Sequence, residues 1–221
     1  MKNINLLGIK LKDRYVKEAL TLTDRFIEEG AAHTILYLTA PVIMEAVKDD
    51  AGKELIESAD LTLWGDTEIL AAADVTSKAR YREVKEKEFM KAFLYKIAKT
   101  HKLVLVLSDT HEKAEVLKKE LLEIQDGITI AGTVDISETD EKQEDIINEI
   151  NMIAPTVIFV RMPFSMQQKW LARSRQYINT VMWVCIPEDF RFAWKREMPI
   201  AKIGKRILNL WLSRRVNQYK K

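Results

Sequence analysis

The apolar pattern is clearest in the middle of the chain. Residues 102–107 (KLVLVL) form a short continuous apolar run that ends at Ser108-Asp109-Thr110. Glu112, three residues after Asp109, completes a capping pattern that predicts a helix there. Ala114, Leu117, Leu121 and Ile124 make the apolar face of that helix, Gly127 ends it, and 128–134 (ITIAGTV) reads as the next strand. A second helix is predicted from 137–145 onward, with Ile146, Ile150 and Ile153 as its stripe and Pro155 as its stop. Residues 156–160 then read as a strand, 165–178 as a helix and 181–186 as a strand.

Apolar runs separated by amphipathic helices mark a parallel sheet buried on both faces, because each crossover must carry the chain back over the sheet. The first hundred residues continue the theme less regularly. Residues 4–11 and 34–38 read as strands around a helix bearing Val16, Leu20, Leu22 and Phe26. Residues 55–59 read as a helix end before a strand at 61–63, and Phe89, Phe93 and Ile97 mark a later helix. The predicted class is α/β, a Rossmann-like three-layer sandwich with a mostly parallel sheet over 1–199, followed by a C-terminal appendage at 200–221. Ligands of such sheets sit at the carboxyl ends of the strands. That directs attention to Thr39, Gly65-Asp66, Ser108-Asp109, Arg161-Met162-Pro163 and Pro187-Glu188-Asp189.

Charge changes the picture. The net charge of +2 conceals a split, since residues 1–160 sum to −9 and residues 161–221 to +11. Such an asymmetry calls for an anionic partner at the basic end, whether phosphate, nucleic acid or membrane surface. Residues 200–221 read as a helix with Ile203, Ile207, Leu210 and Trp211 on one side and Lys202, Lys205, Arg206, Arg214, Arg215, Lys220 and Lys221 around the rest. This fits a helix lying on an anionic membrane surface. It equally fits a terminal helix docked on the domain's own core or on a second subunit of a homo-oligomer. No nucleic-acid motif accompanies the charge, so no nucleic-acid partner is expected.

The remaining composition mostly excludes. Seven isolated glycines leave no clustered-glycine loop for phosphate, neither a Walker motif nor a dinucleotide fingerprint. One cysteine, Cys185, makes no internal disulfide and lies in an apolar strand as an inert thiol. His33, His101 and His111 lack metal-ligand spacing, so neither a metal site nor a cofactor is expected. No leader-type apolar segment and no membrane-spanning run are visible, which places the expected location in the cytoplasm, peripheral at the inner membrane face.

Residues 158–173 (IFVRMPFSMQQKWLAR) resemble the "FVGLGAPKQEKWIAR" motif of the WecG/TagA/CpsF glycosyltransferase family, with Gln167, Lys169, Trp170, Ala172 and Arg173 in register. Residues 46–66, ending in LTLWGD, are similar to "A…AD-LVLPDG". Residues 130–133 resemble "IVGT", and Asp189-Phe190 with Pro199 resemble "FDF…RAP". The resemblance implies inverting transfer of an N-acetylated aminosugar from a UDP-sugar to a lipid-linked acceptor in cell-surface polysaccharide or wall polymer synthesis. It also implies a C-terminal appendage that docks on the bilayer and brings arginines to the site, with Arg214 and Arg215 the loosely placed counterparts here.

On this reading Asp66 is the candidate base, since an inverting transfer needs a carboxylate at the attacking hydroxyl; the more ordinary reading is the cap of a helix starting near Thr67. Thr39, Ser108, Asp109, Arg161, Gln167, Arg214 and Arg215 are the candidate substrate-binding residues. The family's Asp-Gly is inverted here to Gly65-Asp66, its paired glycines are replaced by Ser108-Asp109, and its Gly-Leu-Gly by Arg161-Met162-Pro163. Those replacements keep a second reading open, a non-catalytic homologue that acts as a membrane-associated interaction partner.

Overall fold

The computed structural model describes residues 2–136 and 143–192. The stretch 200–221, with Arg214 and Arg215, and the start of the second predicted helix at 137–142 lie outside the described residues.

The chain opens with strands β1 (Lys2–Leu6) and β2 (Ile9–Asp13), paired antiparallel as a separate two-stranded ribbon. The sequence predicts a single strand over 4–11, and the structure corrects it to a hairpin. The signal was a change of parity: Ile4 and Leu6 are buried at even positions, Ile9 and Leu11 at odd ones. Leu7 and Gly8 form the two-residue turn with φ of 54° and 87°. Positive φ at both positions is what the tight right-twisted hairpin requires, and Gly8 adopts it without steric cost.

The remaining strands among the described residues are β3 (His33–Leu38), β4 (Leu61–Trp64), β5 (Leu103–Ser108), β6 (Thr129–Asp135), β7 (Val157–Arg161) and β8 (Met182–Ile186). They form one six-stranded sheet in the order β4-β3-β8-β7-β5-β6, parallel at every pairing. The Rossmann-like α/β expectation therefore holds. The inner strands β3, β5, β7 and β8 are buried on both faces, which is why they read as unbroken apolar runs rather than alternating ones.

The helices divide between the faces. On one face Tyr37, Val106, Phe159 and Val184 pack with α1 (Val16–Glu29), α6 (Glu88–Lys99) and α7 (His111–Ile124). On the other, Leu36, Leu107, Val160 and Trp183 pack with the hairpin, α2 (Ala40–Ala46), α3 (Asp50–Ser58), α4 (Thr67–Ala72), α5 (Lys78–Lys85), α8 (Gln143–Ile153) and α9 (Phe164–Ser174). The β3→β4, β6→β7 and β7→β8 connections step one way along the sheet over this second face, whereas β5→β6 steps the other way over the first. All these crossovers thus have one hand, as twisted parallel sheets demand. Two element ends differ from expectation: α7 is capped by Thr110 rather than Asp109, and the helix predicted over 165–178 is α9 followed by one 3-10 turn, Arg175–Tyr177.

The hairpin is fastened by a buried polar cluster. Asp13 accepts from Trp64 Nε1 at 2.7 Å and from Arg80 Nε and Nη2 at 3.1 and 2.9 Å, while Arg80 Nη1 also pairs with Glu83. At the carboxyl end of the sheet, the Gly65 N–H donates to Leu38 O at 2.6 Å. A Cβ at Gly65 would lie 2.7 Å from Thr39 Cγ2 and 2.9 Å from Leu38 O, whereas one at Gly132 would meet only ordinary contacts from 3.7 Å outward. Gly65→Ala is therefore expected to lower stability by roughly 1–3 kcal/mol in denaturant unfolding, with Gly132→Ala neutral or stabilising by under about 1 kcal/mol.

Candidate active site

Because the sheet is wholly parallel, every strand delivers its last residue to the same edge. The first group forms where β3 and β4 end. Thr39, buried, is the N-cap residue of α2, and Asp66 is the N-cap residue of α4. The Asp66 carboxylate accepts from Ile69 N at 2.9 Å on its own helix and from Ala40 N at 3.4 Å on α2. Asp66 is thus a helix cap. The same contacts hold its carboxylate between two helix starts at the edge where ligands of parallel sheets bind. The glycine at 65 has a local reason, since the position that must approach Leu38 has room for glycine alone. Lys87, the N-cap of α6 with φ of 54°, donates from Nζ to Gly65 O and lies 4.3 Å from the centre of the Phe190 ring.

The second group forms where β5 and β7 end. These neighbouring strands send their connections to opposite faces, which makes this the switch point of the sheet. The buried Ser108 hydroxyl donates to Arg161 O at 2.5 Å and ties the two strand ends together. Asp109 pairs with Lys113 Nζ at 2.5 Å, and Lys113 reaches Glu188 Oε1 at 2.7 Å. These two hydrogen bonds raise the Lys113 ammonium above its ordinary range. Arg161 points to the α7 side, where Nη1 meets Glu120 Oε2 at 2.5 Å and the guanidinium lies 5.4 Å from the centre of the Phe192 ring. Arg161 Nε and Nη2 are buried without a hydrogen-bond partner. Burial pushes the Arg161 guanidinium below its ordinary range, and the Glu120 carboxylate opposes that shift.

The two groups are separate. Asp66 and Arg161 stand on strands three places apart, about 14 Å across at ordinary strand spacing. Residues 187–192 connect them: Asp189 accepts from the Thr39 hydroxyl at 2.9 Å, Phe190 packs against Tyr37, and Phe192 covers Arg161. Gln167, only 1 % exposed, donates from Nε2 to Met162 O at 2.8 Å and to Ile186 O at 3.0 Å. Its amide clamps the ends of β7 and β8. Cys185 is buried and its thiol is pushed up to about 12, which keeps it protonated and inert. Among the described residues, no group of three or more His, Cys, Asp or Glu side chains is placed to hold a metal ion, and no helix is long and apolar enough to cross a membrane.

Lys87, Lys113, Glu120 and Phe192 were not singled out from the sequence. Glu120 carried a signal, being a charged residue three positions after Leu117 on the buried stripe of α7. Lys113 carried a weaker one, four residues after Asp109 on a helix start.

The family model for the glycosyl transferase WecG/TagA/CpsF family matches residues 4–221, and the chain belongs to that family. Similar curated proteins are the N-acetylglucosaminyldiphosphoundecaprenol N-acetyl-beta-D-mannosaminyltransferases of Staphylococcus aureus strains NCTC 8325 / PS 47 and COL. Each is 22 % identical over 185 residues, spanning 81 % of this chain and 71 % of the relative.

The Gln167 clamp makes a direct prediction. Gln167→Leu leaves two buried carbonyl oxygens without their donor and should cost about 1–3 kcal/mol, read as a lower denaturation midpoint.

Proposed function

We propose that the protein is an inverting glycosyltransferase that moves an N-acetylated aminosugar from a UDP-sugar to a lipid-linked acceptor, with Asp66 as the base. The observation that carries the reading is the placement of the Asp66 carboxylate at the carboxyl edge of the sheet, beside Thr39. In the reaction the acceptor hydroxyl oxygen bonds to the anomeric carbon on the face opposite the nucleotide. The bond from that carbon to the diphosphate oxygen breaks, UDP leaves with the electron pair, and Asp66 takes the hydroxyl proton. The names of the Staphylococcus aureus relatives support both the sugar class and the lipid diphosphate acceptor.

The basic stretch 200–221 supports a peripheral position on an anionic membrane surface, where the acceptor resides. One observation favours the non-catalytic reading instead: Asp109 and Glu188 place two carboxylates near the switch point, where a diphosphate would approach.

Asn is as good an N-cap as Asp, so Asp66→Asn keeps α4 in place. It should lower transfer from UDP-N-acetylhexosamines by about 10²–10⁴-fold while leaving the calorimetric affinity for UDP within about twofold; unchanged turnover rejects Asp66 as the base. A wild-type chain that shows no heat and no thermal shift with millimolar UDP decides for the non-catalytic reading. Deleting 200–221 should reduce sedimentation with phosphatidylglycerol vesicles, and equal sedimentation removes the membrane assignment.

A further inference from the structure

Arg161 has more donors than the fold uses. It ends β7 at the switch point, is 8 % exposed, and commits Nη1 to Glu120, while Nε and Nη2 are buried with no partner. These two nitrogens are not a random pair. Their N–H groups run parallel along one edge of the guanidinium, the edge that matches two oxygens of one phosphate. The Phe192 ring lies over the same group, its centre 5.4 Å away, and the two nitrogens are closed off from water. The free energy of an unsatisfied buried donor is recovered only when a ligand or a rearrangement satisfies it.

We propose that Arg161 is a covered diphosphate-binding residue, with Phe192 as the cover and the Nε–Nη2 edge as the bidentate contact. A diphosphate entering the switch point displaces the Phe192 ring, and Arg161 exchanges a cation–π contact for two charge-assisted hydrogen bonds. Lys113 pairs with both Asp109 and Glu188 beside this path and offsets part of their charge, and Glu120 holds the guanidinium in orientation while offsetting part of its charge. The site lies three strands from Asp66, so the diphosphate belongs either to the nucleotide donor or to the lipid-linked acceptor. The inference rests on the proposed transferase reading only for that choice of anion.

The test is calorimetry on the full chain with three probes: inorganic pyrophosphate, UDP and farnesyl diphosphate. Pyrophosphate should bind the wild type, and Arg161→Gln should weaken it by about tenfold or more, the loss of charge-assisted hydrogen bonds. Phe192→Leu, which shrinks the cover, and Glu120→Gln, which removes the competing charge, should each tighten it. UDP binding tighter than pyrophosphate assigns the donor, and tighter farnesyl diphosphate assigns the acceptor. If Arg161→Gln does not fold by circular dichroism, the Phe192→Leu arm decides, and unchanged affinity there overturns the proposal. Wild-type turnover with pyrophosphate affinity unaltered in all three variants sinks this inference and spares the transferase reading. Arg161-dependent pyrophosphate binding without sugar transfer does the reverse.

Discussion

The arrangement at the sheet's carboxyl edge depends on one close approach. The Gly65 amide meets the Leu38 carbonyl at 2.6 Å and no side chain fits between them. This contact extends the β3–β4 pairing one step beyond the strands, and only then does the chain turn into α4. Asp66 therefore arrives beside the start of α2, where its carboxylate receives a second backbone donor. Had the glycine and the aspartate been exchanged, the side chain of the aspartate would have met Thr39 and the Leu38 carbonyl. The order glycine then aspartate is a steric requirement of this pair of strand ends.

A second constraint acts through residues 187–192. They leave β8 in the centre of the sheet and touch both strand-end groups, through Thr39 and Tyr37 on one side and Lys113 and Arg161 on the other. The electrostatic strain this creates is local: carboxylates at Asp109 and Glu188 are tolerable beside each other because Lys113 sits between them. Arg161 and Glu120 follow the same rule in a drier setting, where a charge is tolerated only with a partner.

Most of the sheet was legible in the sequence because β3, β5, β7 and β8 are buried on both faces. An unbroken apolar run such as 103–107 is too short for a buried helix and lacks the alternation of a half-exposed strand. The hairpin was not legible, because Leu7 continues the apolar run and hides the change of parity between Leu6 and Ile9. Asp66 was legible as a cap and as a strand-end carboxylate, since both follow from its position before Thr67. The partner of Arg161 was not, because Glu120 lies 41 residues away in sequence and nothing short of the β7–α7 packing joins them. Gln167 stood out by its motif, but its double contact with Met162 and Ile186 carbonyls needed the strand ends in place.

The order of the strands has a consequence for how the chain is made. β8 is the last strand in sequence among the described residues, yet it lies between β3 and β7, which share no ladder of their own. Until residues 182–186 emerge, the pairings of the finished sheet are available only as two half-sheets, β4-β3 and β7-β5-β6, whose edges at β3 and β7 have no partner strand from this sheet. The closing strand joins partners some 150 and 25 residues upstream, a long-range step that topology makes slow. Synthesis therefore sets a keystone late, and any interruption before Ile186 leaves an arch without its centre.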